Sequence, residues 1–284
     1  MSIVVTGATG HLGRHVVEQL LEKVPADRIT AVVRDEAKAA DLAARGVKLA
    51  RADYNTPETF GSVFAAGDRV LLISGNEFDK GRVGQHKVVI DAAKAAGVAL
   101  LAYTSAPGSL TAALADDHRG TEEALLASGL PYTLLRNGWY HENYTENLAP
   151  VLEHGAVVQA AGEGRISSAS RADYAAAAVA VLTGEGHENK TYELGGDEAW
   201  GFAEYAAELS RQTGKEIGYT PVPVDTYAGI LTGAGLPGPL AAILAGVDAS
   251  IEKGELVVST GDLSRLAGRP TTPLADAIAA AVKG

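Results

Sequence analysis

The chain contains no cysteine, which excludes disulfides, thiolate nucleophiles and cysteine-ligated metals, and suits a reducing compartment. It lacks any apolar run of about 18 residues, so no segment reads as a membrane span. No basic flank or cleavage pattern accompanies the first apolar run, Ile3-Val4-Val5, and a cytoplasmic location is expected rather than secretion. Positive charge is also short: 24 Lys and Arg face 35 Asp and Glu, a formal net charge of −11. That field opposes non-specific attachment to nucleic acid or anionic lipid. A phosphate-bearing ligand must therefore be held by local donors. His86 and His118 have no second ligand at metal-like spacing, and no metal site is expected. The last absence concerns catalysis. A tyrosine followed four residues later by a lysine lowers the phenol pKa for proton exchange with an alcohol. None of the ten tyrosines has lysine at that offset. Alcohol–ketone exchange by that device is disfavoured.

What is present reads as an α/β protein. Of the 284 residues, 46% are hydrophobic, enough for one or two compact domains. Apolar runs at 3–6, 29–33, 47–51, 69–73, 99–104 and 132–135 alternate with helix-like stretches near 11–23, 35–45, 57–65, 82–96 and 117–128. Strand and helix at this cadence predict a Rossmann-type, doubly wound parallel sheet with helices on both faces. The runs are almost continuously apolar, as strands covered on both faces should be. Gly97 and Gly129 stand where helices should end and feed the next strand. After Leu135 the rhythm breaks, and 136–150 reads as a site-forming connection. A helix near 171–183 and a strand near 190–194 return to the sheet. The expected division is a Rossmann domain over 1–135 with a returning segment of about 156–194. A smaller, mostly helical lobe covers 195–284, joined by about 136–155.

The first strand runs into Gly7-Ala8-Thr9-Gly10-His11-Leu12-Gly13 and then a helix. In such a turn the first glycine permits the tight bend, the second lets backbone approach a pyrophosphate, and the third allows close helix–strand packing. The helix N-terminus offers free amides and a positive dipole end to the phosphates. Strand before, helix after and the alternation beyond make this a dinucleotide site. At the end of the second strand, about 20 residues on, a ribose-binding acid marks an NAD protein. Arg34 stands there instead and can pair with the 2′-phosphate of NADP, so NADP(H) is expected over NAD(H). Arg14 is a candidate second clamp, and neighbouring Asp35 reads as a helix N-cap. Asp53 reads either as a ligand of the adenine amino group or as a turn residue. His118, in Asp116-Asp117-His118-Arg119, reads as an exposed helix start that either stays solvated or faces the site. Phe78 is a candidate lid residue.

GATGHLG at 7–13, AVVR at 31–34, LLIS at 71–74, AYTS at 102–105 and LLRNGWYHENY at 134–144 together resemble the NmrA-like branch of atypical short-chain dehydrogenase/reductases. SSASRADYAAAA at 167–178 and GRPTTPL at 268–274 extend the resemblance over nearly the whole chain. Within that branch the sequence is most similar to bacterial NAD(P)H:quinone oxidoreductases, with triphenylmethane-dye reductases as near relatives. The resemblance implies that Gly7 through Leu12 bind the pyrophosphate and Arg34 the 2′-phosphate. It further implies that Ser74, Gly75 and Asn76 pass beside the ribose. Gly138, Trp139, Tyr140, His141, Glu142 and Asn143 would wrap the nicotinamide end, and Ser170 and Arg171 would touch it. Some ring-reducing relatives carry a catalytic lysine on the fifth helix, where this chain has His118. The function implied is hydride transfer from NADPH to a quinone or similar planar acceptor. His118 and Tyr140 are the candidate catalytic proton donors, and Trp139 and Tyr140 can stack on a ring or fill core. The alternatives are an NADP(H)-binding redox sensor without turnover, and a reductase of dyes or specialised metabolites. No heptad seam announces an oligomer.

Overall fold

A computed structural model of the chain describes residues 2–76 and 81–283. The chain runs β1 (Ile3–Val5), α1 (His11–Leu21), β2 (Ile29–Val33), α2 (Ala40–Ala44), β3 (Lys48–Arg51), β4 (Arg69–Leu72), α3 (Arg82–Ala96), β5 (Leu100–Ser105), α4 (Leu114–Ser128) and β6 (Tyr132–Asn137). It continues through α5 (Glu142–Thr145), α6 (Ala149–His154), β7 (Ala156–Gln159), β8 (Arg165–Ile166), α7 (Arg171–Thr183) and β9 (Lys190–Leu194). The last part is β10 (Trp200–Gly201), α8 (Phe202–Thr213), β11 (Gly218–Pro221), α9 (Val224–Gly233), α10 (Gly238–Glu252), α11 (Asp262–Ala267) and α12 (Leu274–Lys283).

Seven strands form one sheet in the order β3-β2-β1-β4-β5-β6-β9. Pairings from β3 through β6 are parallel. The order reverses between β1 and β4, where Ile3, Val4 and Val5 face Arg69, Val70 and Leu71. That reversal leaves a crevice beyond the carboxyl ends of the two strands, the position at which doubly wound sheets bind nucleotides. Val4, Val32, Val70, Leu72, Leu101 and Leu134 from the strands pack with Phe60, Val89, Ile90 and Leu125 into one core cluster. Burying about ten such side chains, each worth roughly 1.5–3 kcal/mol, fixes the strand register that aims the β1 and β4 loops. Helices α1 and α7 pack together, and Gln19 Nε2 donates to Ala172 O at 2.9 Å.

The chain divides into two compact units. The first is 1–106, 117–137 and 171–192; the second is 107–116, 138–170 and 193–284. The stretch 156–170, expected to return with the Rossmann part, thus falls in the second unit. Its strands find partners there: β7 pairs with β11 and β8 with β10, so this unit is helical with two small sheets.

Three local expectations change. The stretch 57–65 forms only a 3-10 turn at Pro57–Phe60, because Phe60 and Phe64 are both drawn into the core. The stretch 35–45 splits into a 3-10 turn, Glu36–Ala39, followed by the short α2. Strand β6 continues through Arg136 and Asn137, two residues beyond the expected break. No helix among the described residues is long and apolar enough to cross a membrane.

Candidate active site

Gly7 leaves β1 with φ +61°, a left-handed backbone that a side chain would strain. The Gly10 N–H closes the turn on Gly7 O at 2.9 Å, and Ala8 N–H reaches Val32 O at 3.3 Å. Gly10 is the N-cap of α1 and places no side chain over the first-turn amides, which have no acceptor within the helix. A Cβ on Gly13 would lie 2.2 Å from Gly7 O and 2.8 Å from Ala8 Cα. The helix therefore rests directly on the turn, and its amides and dipole point where an anion would sit. This cradle fits a dinucleotide pyrophosphate.

Arg34 follows the last residue of β2 and is exposed. Asp35 caps the next turn as expected, its Oδ1 accepting from Ala37 N at 3.0 Å. Arg14, the candidate second clamp, is engaged within the chain. Its guanidinium is held by Asp41 and by Lys38 O, each at 2.5 Å. The Asp53 carboxylate accepts from Asn55 N at 2.9 Å and Asn55 Nδ2 at 3.2 Å, which suits a turn residue. Phe78 lies outside the described residues.

The loop after β4 is pinned from several sides. Ile73 N–H donates to Thr6 Oγ1 at 3.1 Å, and Ser74 N–H donates to Thr104 Oγ1 at 2.9 Å. Gly75 N–H donates to His86 Nε2 at 2.9 Å. That bond assigns the tautomer: Nε2 accepts, so Nδ1 carries the proton and donates to Thr121 Oγ1 at 2.9 Å. Thr121 in turn donates to Asp117 O at 2.8 Å. A fully buried imidazole thus fixes the backbone beside the expected ribose. Burial first, and the Arg82 guanidinium second, push its pKa down to about 3. Sequence reasoning met His86 only as a failed metal ligand; nothing local points from it to a loop on another element.

His118 is not an exposed helix start. It is buried in α4, with Nδ1 2.9 Å from Tyr103 Oη and Nε2 3.3 Å from an Arg82 amino group. Arg82 can only donate, so Nε2 accepts and the ring is neutral. Burial, then Arg82 and His86, push its pKa down to about 3. Nearby, Glu122 takes a bidentate pair from Arg136 at 2.9 and 2.7 Å and a bond from Ser105 Oγ at 2.6 Å. Ser105 is thereby occupied structurally.

In the second unit, the Gly138–Asn143 segment is laid against the 168–170 segment. Ala169 N donates to Trp139 O at 3.1 Å, His141 N donates to Ala169 O at 3.0 Å, and Tyr140 bridges Ala169. His141 is buried. Its Nε2 donates to Thr272 O at 3.0 Å, so its Nδ1 accepts from Ser168 Oγ at 2.8 Å. Ser168 Oγ accepts from Trp200 Nε1 at 2.8 Å. His141 is therefore a strut that links this segment to the 268–274 region. Trp139 and Tyr140 are half-buried, Glu142 and Ser170 likewise, and Asn143 is exposed. Tyr144 packs edge-on against Trp200 and Phe202, centroids 5.5 and 5.1 Å away. Of the expected site residues, 7–13, Arg34, Ser74, Gly75, Asn76, His118 and Arg171 belong to the first unit. Gly138 through Asn143 and Ser170 belong to the second.

Comparison with known proteins agrees with this architecture. The family model described as NAD(P)H-binding matches residues 7–185. Quinone oxidoreductase 2 of Escherichia coli (strain K12) is 48% identical over 278 residues, 97% of each chain. The crystal structure of an E. coli NADPH-dependent quinone oxidoreductase complexed with NADPH superposes with a TM-score of 0.94, covering 98% of this chain and 99% of that one. Triphenylmethane reductase of Citrobacter sp., complexed with NADP(H), is 42% identical with a TM-score of 0.94, covering 99% and 100%.

Proposed function

We propose, from the premise that this chain belongs to the NAD(P)H-binding family in its NmrA-like branch, that it transfers hydride from NADPH to quinones or similar planar electrophilic acceptors. The observation that carries the cofactor half is the cradle at Gly7–Gly13, where a Cβ on Gly13 would meet backbone at 2.2 Å. The acceptor class is supported by the 48% identical quinone oxidoreductase and by the dye reductase.

In this reading Gly7, Ala8, Thr9, Gly10, His11, Leu12 and Gly13 hold the pyrophosphate, and Arg34 pairs with the 2′-phosphate. Ser74, Gly75 and Asn76 border the ribose, positioned by His86. Gly138 through Asn143, with Ser170 and Arg171, border the nicotinamide end. When bound, the dihydronicotinamide supplies the hydride. Quinones are flat and already electrophilic, so positioning supplies much of the catalysis. Tyr140 and Trp139 offer ring faces for that positioning. His118 is assigned a different part from the proton donor expected of it. Its nitrogens are committed to Tyr103 and Arg82, and a ring neutral near pH 7 carries no excess proton to give. The same reading places the protein in the cytoplasm, with a small-molecule acceptor and no nucleic-acid partner.

One acceptor panel tests this. NADPH consumption is followed with benzoquinone, naphthoquinone and a triphenylmethane dye, then repeated with Arg34→Ala. Acceptor-dependent oxidation is expected, with the NADPH-over-NADH preference falling about 10- to 100-fold in the variant, the worth of one charge-assisted contact. An unchanged preference would remove the 2′-phosphate assignment. Tight NADPH binding without turnover on any acceptor would replace the enzyme with a redox sensor.

A further inference from the structure

Strands β2 and β3 end side by side at one edge of the seven-stranded sheet. Val33, the last residue of β2, lies opposite Arg51, the last residue of β3, and Ala52 N donates to Val33 O at 3.1 Å. Arg34 is the residue after Val33. With parallel strands about 4.8 Å apart and a rise of about 3.3 Å per residue, the Arg34 and Arg51 Cα atoms stand about 6 Å apart. An extended arginine side chain spans that separation. Both residues are exposed, and both belong to the first unit, as does the Gly7–Gly13 cradle.

The charges around this strand end are already committed, with one exception. Arg14 is held by Asp41 and Lys38 O, and Arg45 by Glu18. Asp35 is turned to Ala37 N, and Asp53 to Asn55 N and Nδ2. Among the described residues the Arg51 side chain has no hydrogen bond, ion pair or electrostatic partner. In a chain of net charge −11, two exposed arginines on adjoining strand ends make a local positive field where the general field is negative.

We infer that Arg51 is the second cation of the 2′-phosphate site, in the part that sequence order suggested for Arg14. The inference rests on the assignment of Arg34 to that phosphate. Near pH 7 a phosphate monoester carries close to two negative charges and three acceptor oxygens. One guanidinium fork takes two of those oxygens and balances one charge. Arg51 supplies donors for the third oxygen and the second positive charge. NAD(H) carries a hydroxyl at the same position, so Arg51 acts on NADP(H) alone and sharpens the preference between the two cofactors.

Equilibrium binding of NADPH and NADH tests this without turnover. Arg51→Gln keeps much of the side-chain length and removes the charge. Its NADPH affinity is expected to fall about 10-fold, the worth of one charge-assisted contact, while NADH affinity stays within about twofold. Arg51→Lys keeps the charge without the fork and should fall between the wild type and Arg51→Gln. Lys48→Gln removes an equal charge at the other end of β3, about 10 Å away, and should leave both affinities within about twofold, because salt screens exposed charges over that distance. NADPH affinity unchanged in Arg51→Gln, equal losses for both cofactors, or a Lys48→Gln loss matching that of Arg51→Gln would each overturn the inference. A wild type that binds NADPH no better than NADH, or an Arg34→Ala variant that keeps the preference, would instead remove the 2′-phosphate site itself, and Arg51 with it.

Discussion

Unfolding free energy is expected to fall as pH drops from about 6.5 toward 4, with His86→Gln and His118→Gln each removing about one proton from the slope. Burial first, and the Arg82 charge second, hold both imidazoles neutral, and each accepts a hydrogen bond: a backbone N–H at His86 Nε2 and an arginine N–H at His118 Nε2. Their pKa values lie near 3, against 6.5 for the unfolded residue. Between those limits the unfolded chain binds a proton that the folded chain refuses. The stabilisation is complete above pH 6.5 and is lost as pH falls, at about 1.4 kcal/mol per pH unit per proton. Asp248 acts in the opposite sense. Its folded pKa of about 7 exceeds 3.8, so its contribution is complete below pH 3.8 and is lost as pH rises toward 7. Together the three groups leave a net slope of about one proton between pH 4 and 6.5. Urea unfolding at pH 4, 5, 6 and 7, with a constant m-value, measures it. Histidine variants whose curves parallel the wild type would refute the assignment. The Asp248→Asn curve should be steeper than the wild type over the same range.

Gly13→Ala is expected to reduce NADPH affinity by about 100-fold or more, equivalent to losing two charge-assisted amide contacts. The added Cβ would fall 2.2 Å from Gly7 O, 2.8 Å from Ala8 Cα and 2.9 Å from Gly7 C. All three obstacles are backbone, so no rotamer change relieves them. The start of α1 must move off the turn, taking the first-turn amides from the phosphate positions. A stability loss of about 1–3 kcal/mol should accompany it, the usual cost of overpacking. Gly10→Ala is the internal comparison: its Cβ would approach Gly7 O only to 3.2 Å, and a smaller loss is expected. Calorimetric titration with NADPH beside thermal unfolding separates binding from folding. An alanine variant at 13 that bound NADPH like the wild type would show that this packing is not what presents the amides.

Elements whose signals are local emerged as the pattern predicts. Helix α3 spans Arg82–Ala96 and ends at Gly97 with φ +71°; β2, α7 and β9 also keep their expected limits. Errors arose where a distant partner decided the outcome. Phe60 and Phe64 look like parts of a helix until the core claims both from irregular backbone. His118 has two aspartates before it and an arginine after it, which suggests solvent. Polarity along a chain does not say which side of a helix meets the sheet, and α4 turns His118 toward Tyr103 on β5 and Arg82 on α3.

The sequence by itself determined the dinucleotide cradle and the arginine at the end of β2. Residues 3–34 contain every part of it, and its geometry follows from backbone sterics and helix-end amides. Tertiary structure alone decided the protonation of the interior. His86, His118 and Asp248 look like ordinary surface-type residues in the sequence. Their charge states depend on lost hydration and on partners brought from other elements, such as Gly75, Arg82 and Ala160. Such partners exist only once the chain has folded, because desolvation is a property of the packed interior.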